Sequence, residues 1–554
     1  MRILLYPLIL FSTLLGNTAA NDVRDDPATA NRPNILLIMA DDLGYSDIGC
    51  FGGEIPTPHL DTLAARGRRL AGLKTAPKCA PSRAMLLSSN DNHVAGYGRM
   101  FIHPHDYRFE GLPGYERNLS DRIVTFPVLL QEAGCYTCVA GKWHQGMAPS
   151  SDPAQQGFDD SWVLLDGAAN HFNSKGTGLS EDRRVAHFSQ NGQPVAYPTG
   201  TFSSTWYADQ MIGYLNAHGK RQDERPFFAF LSFTAPHWPL QVPEEYRNLF
   251  RGHYDQGYDQ LRADRLASQQ RMGIVDTTVV LSTGAKDVPA WTDLTTEEQR
   301  DQSRRMELYA AMVHHMDQQI GRVVQVLRDH EQLDNTLIVF LSDNGADGVD
   351  FYEIPKNGRW VRTQYDNSYE TMGSPTSFVC YGPGWAQASM SPRRGFKNFT
   401  LEGGISAPFL VAGPGISATP EVHSETFSIQ DLGATFLDIV GVDYPEVHRG
   451  RTVVPMRGRS VWELWQGQPS YQDTSRVFAT EMAEMAYVRQ GSWKINSVRQ
   501  ADQNIFSLYH LPTDPGEQQD MSERFPDKKA ALMQKWEEFK KEAGVQFLPR
   551  GEDE

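Results

Sequence analysis

Long apolar runs are missing from this 554-residue chain once the first twenty residues are passed. A helix needs roughly 20 consecutive apolar residues to cross a bilayer, so no membrane span is expected beyond that point. An excess of basic residues is also missing. Against 52 Lys and Arg stand 68 Asp and Glu, a formal charge of -16, which argues against nucleic acid or an anionic membrane as a general partner. A small anionic substrate stays open, because a pocket can be locally basic on an acidic protein. Cysteine is scarce: Cys50, Cys79, Cys135, Cys138 and Cys380 are few for an exported chain, and their odd number leaves one unpaired or chemically used. Cys135 and Cys138 form a C-x-x-C, but nothing thioredoxin-like surrounds them. They read as structural, with their pairing open. Internal repeats and low-complexity tracts are absent too, so no solenoid or repetitive tail is expected.

What is present describes a globular α/β protein with an export signal. The length exceeds what one core usually organises, which predicts a large domain and a smaller one. Arg2, the apolar residues 3–15 and the small residues Thr18-Ala19-Ala20 have the layout of a cleaved signal peptide over 1–20. Short, continuously apolar runs at 34–40, 136–140, 227–233, 336–341 and 408–412 read as fully buried strands. Helical patterns alternate with them. Phe126, Leu129, Leu130 and Ala133 fall at helical spacing after Thr125 as N-cap, and Met306, Tyr309, Val313, Met316, Ile320, Val323 and Leu327 form a longer core stripe. Such alternation predicts a sheet covered on both faces. Residues 166–205 and 345–397 show little periodicity and read as long functional loops. Near the end, 491–511 reads as short strands and 527–543 as an amphipathic helix.

Each predicted strand runs directly into polar residues. Asp41-Asp42 follow the first, Gly141-Lys142-Trp143-His144 the second, Ala235-Pro236-His237 the third and Asp343-Asn344-Gly345 the fourth. Ligands of open α/β sheets bind outside the carboxyl ends of the strands, so the four clusters are expected to converge on one site. Asp41, Asp42, Asp343 and Asn344 are all oxygen donors, which suit a hard divalent cation, calcium or magnesium, better than zinc. The histidine pairs His103/His105 and His314/His315 lie at no predicted strand end and read as non-catalytic.

Cys79-Ala80-Pro81-Ser82-Arg83 matches C-x-P-S-R, the pattern recognised by the enzyme that oxidises cysteine to formylglycine. With Arg32-Pro33-Asn34, Ala235-Pro236-His237-Trp238-Pro239-Leu240, Asp343-Asn344-Gly345, Glu402-Gly403-Gly404 and Asp514-Pro515-Gly516-Glu517, it makes the chain resemble the formylglycine-dependent sulfatases from about Arg32 to about Val545. Bacterial arylsulfatases look closest. Two positions depart from the pattern: Ser88-Ser89 stand where the family commonly has Thr-Gly, and Gln145 where Leu usually follows Gly-Lys-Trp-His.

The resemblance implies an alkaline-phosphatase-like α/β fold, a mixed sheet sandwiched by helices, over 31–445, and a smaller α+β subdomain over 446–554. It implies hydrolysis of aryl sulfates, or related alkyl or sugar sulfates, with formylglycine derived from Cys79 and one calcium ion. Asp41, Asp42, Asp343, Asn344 and the modified Cys79 would bind the ion. Arg83 would hold the formylglycine side chain, Lys142 and His144 would orient its hydrate, and His237 and Lys397 would contact the sulfate and protonate the departing oxygen. A formylglycine-generating enzyme is the implied maturation partner, and the periplasm the implied location. Two rival functions share the motif-free part of this pattern: a phosphate or phosphonate ester hydrolase of the same superfamily, and an inactive secreted binding protein. The first would normally carry a second metal with further Asp and His ligands, and the second would carry a broken set of site residues.

Overall fold

The computed structural model describes residues 32–548 apart from 101–103, 178–183, 221–223, 286–287, 469–472 and 501–502. The expected signal segment 1–20 and His103 lie outside the described residues. Pro33 onward forms one compact unit.

Why the central strands are apolar throughout is visible in the strand Asn34–Asp41, every residue of which is buried. Successive side chains point to opposite faces. Leu36, Ile38 and Ala40 enter one core with Tyr309, Val313 and Met316 of the helix Thr296–Asp329. Ile35, Leu37 and Met39 enter a second core with Leu86, Leu129 and Phe436, from the helices Cys79–Ser88, Phe126–Glu132 and Gln430–Val440. Water touches neither face, so no polar alternation is needed.

The described residues place ten strands in this sheet. In spatial order they are Val422–His423, Gly67–Leu70, Phe409–Ala412, Thr336–Ser342, Asn34–Asp41, Phe227–Pro236, Tyr136–Lys142, Asp160–Leu164, Phe188–Gln190 and Gln193–Val195. Asn34–Asp41 runs parallel to both neighbours, with Asn34 opposite Thr336 and Ile35 opposite Phe228. Tyr136–Lys142 is also parallel to Phe227–Pro236. Phe409–Ala412 is antiparallel to both of its neighbours, which makes the sheet mixed. The α/β sandwich expected from the alternating pattern is therefore present.

Several local details differ from the sequence reading. The core stripe of 306–327 belongs to a 34-residue helix opened by a capping box, in which Thr295 and Glu298 satisfy each other's backbone N–H. Thr125 is the N-cap residue of Phe126–Glu132 as expected, but its side chain caps no backbone N–H, and its hydroxyl donates to Gln156 Oε1. The aperiodic stretch 345–397 contains the helices Pro355–Gln364 and Gly382–Ser389. Residues 491–511 form the strands Trp493–Gln500 and Gln503–His510. These close a four-stranded antiparallel sheet with Val477–Met482 and Met485–Gln490. The helix Pro526–Ala543 packs Leu532, Trp536 and Phe539 against that sheet.

Candidate active site

The parallel strands end side by side, and their last residues carry the polar groups. Asp41 ends its strand, with Asp42 next. Lys142 ends Tyr136–Lys142, Pro236 delivers His237, and Ser342 delivers Asp343 and Asn344. Asp42 and His144 have positive φ, at 64° and 56°. Non-glycine residues seldom adopt this region, and tertiary contacts must hold them there. Cys79 comes in from the helix side as the first residue of Cys79–Ser88.

Arg83, one turn into that helix and fully buried, ties the strand ends together. Its Nε donates to Asp343 Oδ2 at 2.8 Å, and its Nη1 donates to the Lys142 carbonyl at 2.9 Å and to Ser232 Oγ at 2.6 Å. Lys142 Nζ lies 2.8 and 2.7 Å from the two Asp41 oxygens. Lys397 Nζ is 2.8 Å from Asp42 Oδ2 and 3.2 Å from Asp347 Oδ2. The Cys79 sulfur lies 3.4 Å from His144 Nδ1. A Cβ at Gly167 would approach the His144 ring to 2.5 Å, so a side-chain-free residue gives that ring its room.

His237 donates from Nδ1 to the Trp238 carbonyl at 2.7 Å, which leaves Nε2 facing Asp42 Oδ2 at 3.4 Å. Burial, then the charges of Lys397 and Lys142, push its pKa well below the usual histidine value. A neutral ring with Nε2 as acceptor follows. Burial lifts Asp41 to about 6 against the pull of Lys142, and lifts Asp42 well above the carboxylate range against that of Lys397. Asp343 is buried as deeply, yet Arg83, Lys142 and Lys397 hold it below its ordinary value. Burial raises the Cys79 thiol, so as a thiol it is a poor source of thiolate at neutral pH.

The residues fit a cation. Asp41, Asp42 and His237 offer ligand atoms within 4.8 Å of one another. Asn344 donates from Nδ2 to Asp42 Oδ1 at 2.6 Å, while its Oδ1 is buried with no protein donor. Four buried carboxylates, Asp41, Asp42, Asp343 and Asp347, face three buried cations, Arg83, Lys142 and Lys397. A hard cation beside the free amide oxygen would favour the charged forms of Asp41 and Asp42, which burial disfavours.

Sequence reasoning missed Asp347, Trp238, Ser232 and His171. Asp347 receives Trp238 Nε1–H at 2.9 Å as well as Lys397, and His171 Nε2 lies 3.1 Å from the His237 carbonyl. Asp347 had a usable signal, as a carboxylate two residues beyond Gly345. His171 sits in an aperiodic loop and had none.

Acids fit for a cation lie at the carboxyl edge of a mixed α/β sheet with lysines, an arginine, a neutral histidine and one cysteine, a set of groups suited to hydrolysis of anionic esters. Comparison with known proteins narrows the class. Residues 33–442 match the Sulfatase family model, and 395–542 match that of the N-sulphoglucosamine sulphohydrolase C-terminal region. An uncharacterized sulfatase of Schizosaccharomyces pombe is 38% identical over 535 residues, covering 94% of this chain and 96% of the relative. The arylsulfatase of Klebsiella aerogenes is 38% identical over 436 residues, or 78% and 92% of the two chains. The crystal structure of Ps i-CgsB in complex with k-i-k-neocarrahexaose shares the fold, with a TM-score of 0.64 at 23% identity over 92% of this chain and 93% of that one. The chain belongs to the sulfatase family and is a sulfuric ester hydrolase.

Proposed function

We propose that the enzyme hydrolyses sulfate monoesters of aryl, alkyl or sugar alcohols, with formylglycine made from Cys79 and a single calcium ion. One observation carries the reading: Cys79, within the C-x-P-S-R pattern, begins a buried helix whose Arg83 is bonded to Asp343, at the rim of the acidic cluster. Hydrated formylglycine would supply a hydroxyl nucleophile, and calcium, when bound, would supply Lewis-acid stabilisation of negative charge there.

The chain's own groups do the rest. Asp41, Asp42, Asp343 and Asn344 would hold the ion, with the Asn344 amide oxygen already free of other donors. Arg83 fixes Asp343 and the helix start in one frame. His144, next to the Cys79 side chain, orients the nucleophilic hydroxyl, and Lys142 balances Asp41 beside it. Lys397 and His237, both against Asp42, meet the ester at the sulfate end. Lys397 neutralises sulfate charge, and a proton passed through this pair to the bridging oxygen lets the alcohol leave.

Maturation by a formylglycine-generating enzyme follows from the same reading, and Arg2, the apolar residues 3–15 and Thr18-Ala19-Ala20 support export, in a bacterium to the periplasm. The test is peptide mass spectrometry over Cys79 on protein co-expressed with the modifying enzyme, paired with turnover of an aryl sulfate. Loss of about 18 Da as the thiol becomes an aldehyde, and inactivity of a folded Cys79→Ala variant, are expected. A Cys79→Ala enzyme that keeps most of its turnover refutes the mechanism.

A further inference from the structure

The loop that carries Lys397 ends at Glu402, the first residue of the short helix Glu402–Ile405. Glu402 is the hub of a second buried charge cluster, outside the pocket. Lys74 Nζ lies 2.6 Å from Glu402 Oε2, Lys494 Nζ lies 3.0 Å from Oε1, and Arg393 Nη1 lies 3.5 Å from Oε2. The Glu402 backbone N–H donates to Glu517 Oε2 at 2.6 Å, and Glu517 Oε1 lies 2.9 Å from Lys494 Nζ. The Lys74, Lys494, Glu402 and Glu517 side chains are all at least nine-tenths buried. Lys494 lies on the strand Trp493–Gln500 of the C-terminal sheet, and Glu517 follows that sheet in the chain.

The cluster sits at the root of the Lys397 loop. Lys397 is five residues before Glu402, and the loop around them closes on itself, with Phe399 N–H on the Phe396 carbonyl and Gly403 N–H on the Arg394 carbonyl. Its other side is blocked. Gly345 N–H donates to the Gly404 carbonyl at 3.2 Å, and a Cβ at Gly345 would collide with the Gly403 carbonyl. The loop is thus wedged against the Asp343-Asn344-Gly345 turn on one side and anchored by Lys494 and Glu517 on the other. A buried ion pair replaced by apolar groups often costs a fold nothing, so stability alone gives little reason for four buried charges at this spot. Geometry gives one, because each charge specifies a direction for the Glu402 carboxylate or N–H.

We propose that Lys494 and Glu517 are positioning residues for sulfate ester hydrolysis: through Glu402, the C-terminal sheet sets where Lys397 meets the ester. The inference rests on the reading of Lys397 given above.

The test is a double-mutant cycle on full-length enzyme, with formylglycine occupancy measured by mass spectrometry for every variant. Lys494→Met and Glu517→Gln are each made in the native and in the Lys397→Ala background, and kcat and KM are measured with 4-nitrophenyl sulfate. Misplacement of a functional group by about 1 Å costs up to roughly 100-fold. Lys494→Met is therefore expected to lower kcat by at least about tenfold in the native background and by less than about twofold where Lys397 is already gone. Glu517→Gln keeps its shape and an acceptor for the Glu402 N–H, so it supplies the same comparison if Lys494→Met does not fold. Equal losses in both backgrounds, or an unchanged kcat in the native one, overturn the inference while leaving the role of Lys397 standing. An unchanged kcat in Lys397→Ala alone overturns that role and the inference together.

Discussion

Protonation of His93 should couple the stability of this enzyme to alkaline pH. The ring is fully buried, with Nδ1 3.0 Å from Asp91 Oδ1 and Nε2 2.8 Å from Glu481 Oε2 on the strand Val477–Met482. The Tyr115 ring meets it edge-on at 5.6 Å, Arg122 donates to its carbonyl, and Arg99 and Glu484 pair alongside. Burial opposes the charged ring, but the two carboxylate hydrogen bonds outweigh it and lift the pKa from 6.5 to about 9. The folded state therefore holds the proton more tightly than the unfolded chain. Below pH 6.5 both states are protonated and the full benefit is present. Between 6.5 and 9 folding has to take up a proton, and the benefit drains by up to 1.36 kcal/mol per pH unit, a total of about 3 kcal/mol. His93→Gln keeps comparable size and polarity and cannot titrate there. Urea midpoints of both proteins, followed by tryptophan fluorescence at pH 6, 7.5 and 9.5, should show the wild type losing its advantage over His93→Gln as pH rises. Parallel pH dependence of the two across that window would refute the reasoning.

Two further outcomes are expected. Arg83→Ala strands the buried Asp343 carboxylate without its 2.8 Å partner. A loss of about 3–5 kcal/mol is expected, read as a lowered thermal midpoint in calorimetry and as lost turnover; a midpoint equal to wild type contradicts the bonding described. Chelation should abolish aryl sulfate turnover, and added calcium should restore it and stabilise the fold by about 2.7 kcal/mol at one hundred times its Kd. Full activity after exhaustive metal removal contradicts a cation held by Asp41, Asp42, Asp343 and Asn344.

Much of the architecture was legible from short stretches. A run such as Ile35–Ala40 can only be buried on both faces, and Met306 to Leu327 repeats at helical spacing, because period and apolarity are local properties. The polar residues after each run were legible for the same reason, and parallel strands then bring their carboxyl ends to one edge. The antiparallel insertion of Phe409–Ala412 was not legible, since four apolar residues carry no direction. Thr125 took the N-cap position as read, but its side chain makes no capping bond and its hydroxyl is turned to Gln156, which depends on what lies beside it.

By itself, then, the amino-acid sequence determined the central strands, the core helices, the C-x-P-S-R pattern and the polar residue types that follow the strands. Only the tertiary structure decided which charges meet. Arg83 reaches Asp343 across 260 residues of chain, and Lys397 reaches Asp42 across 355. Asp347, His93 and the Glu402 cluster acquire partners in the same way. Desolvation makes each of those pairings consequential, and burial at a given point in space is a property that no segment of sequence possesses before the chain has folded around it.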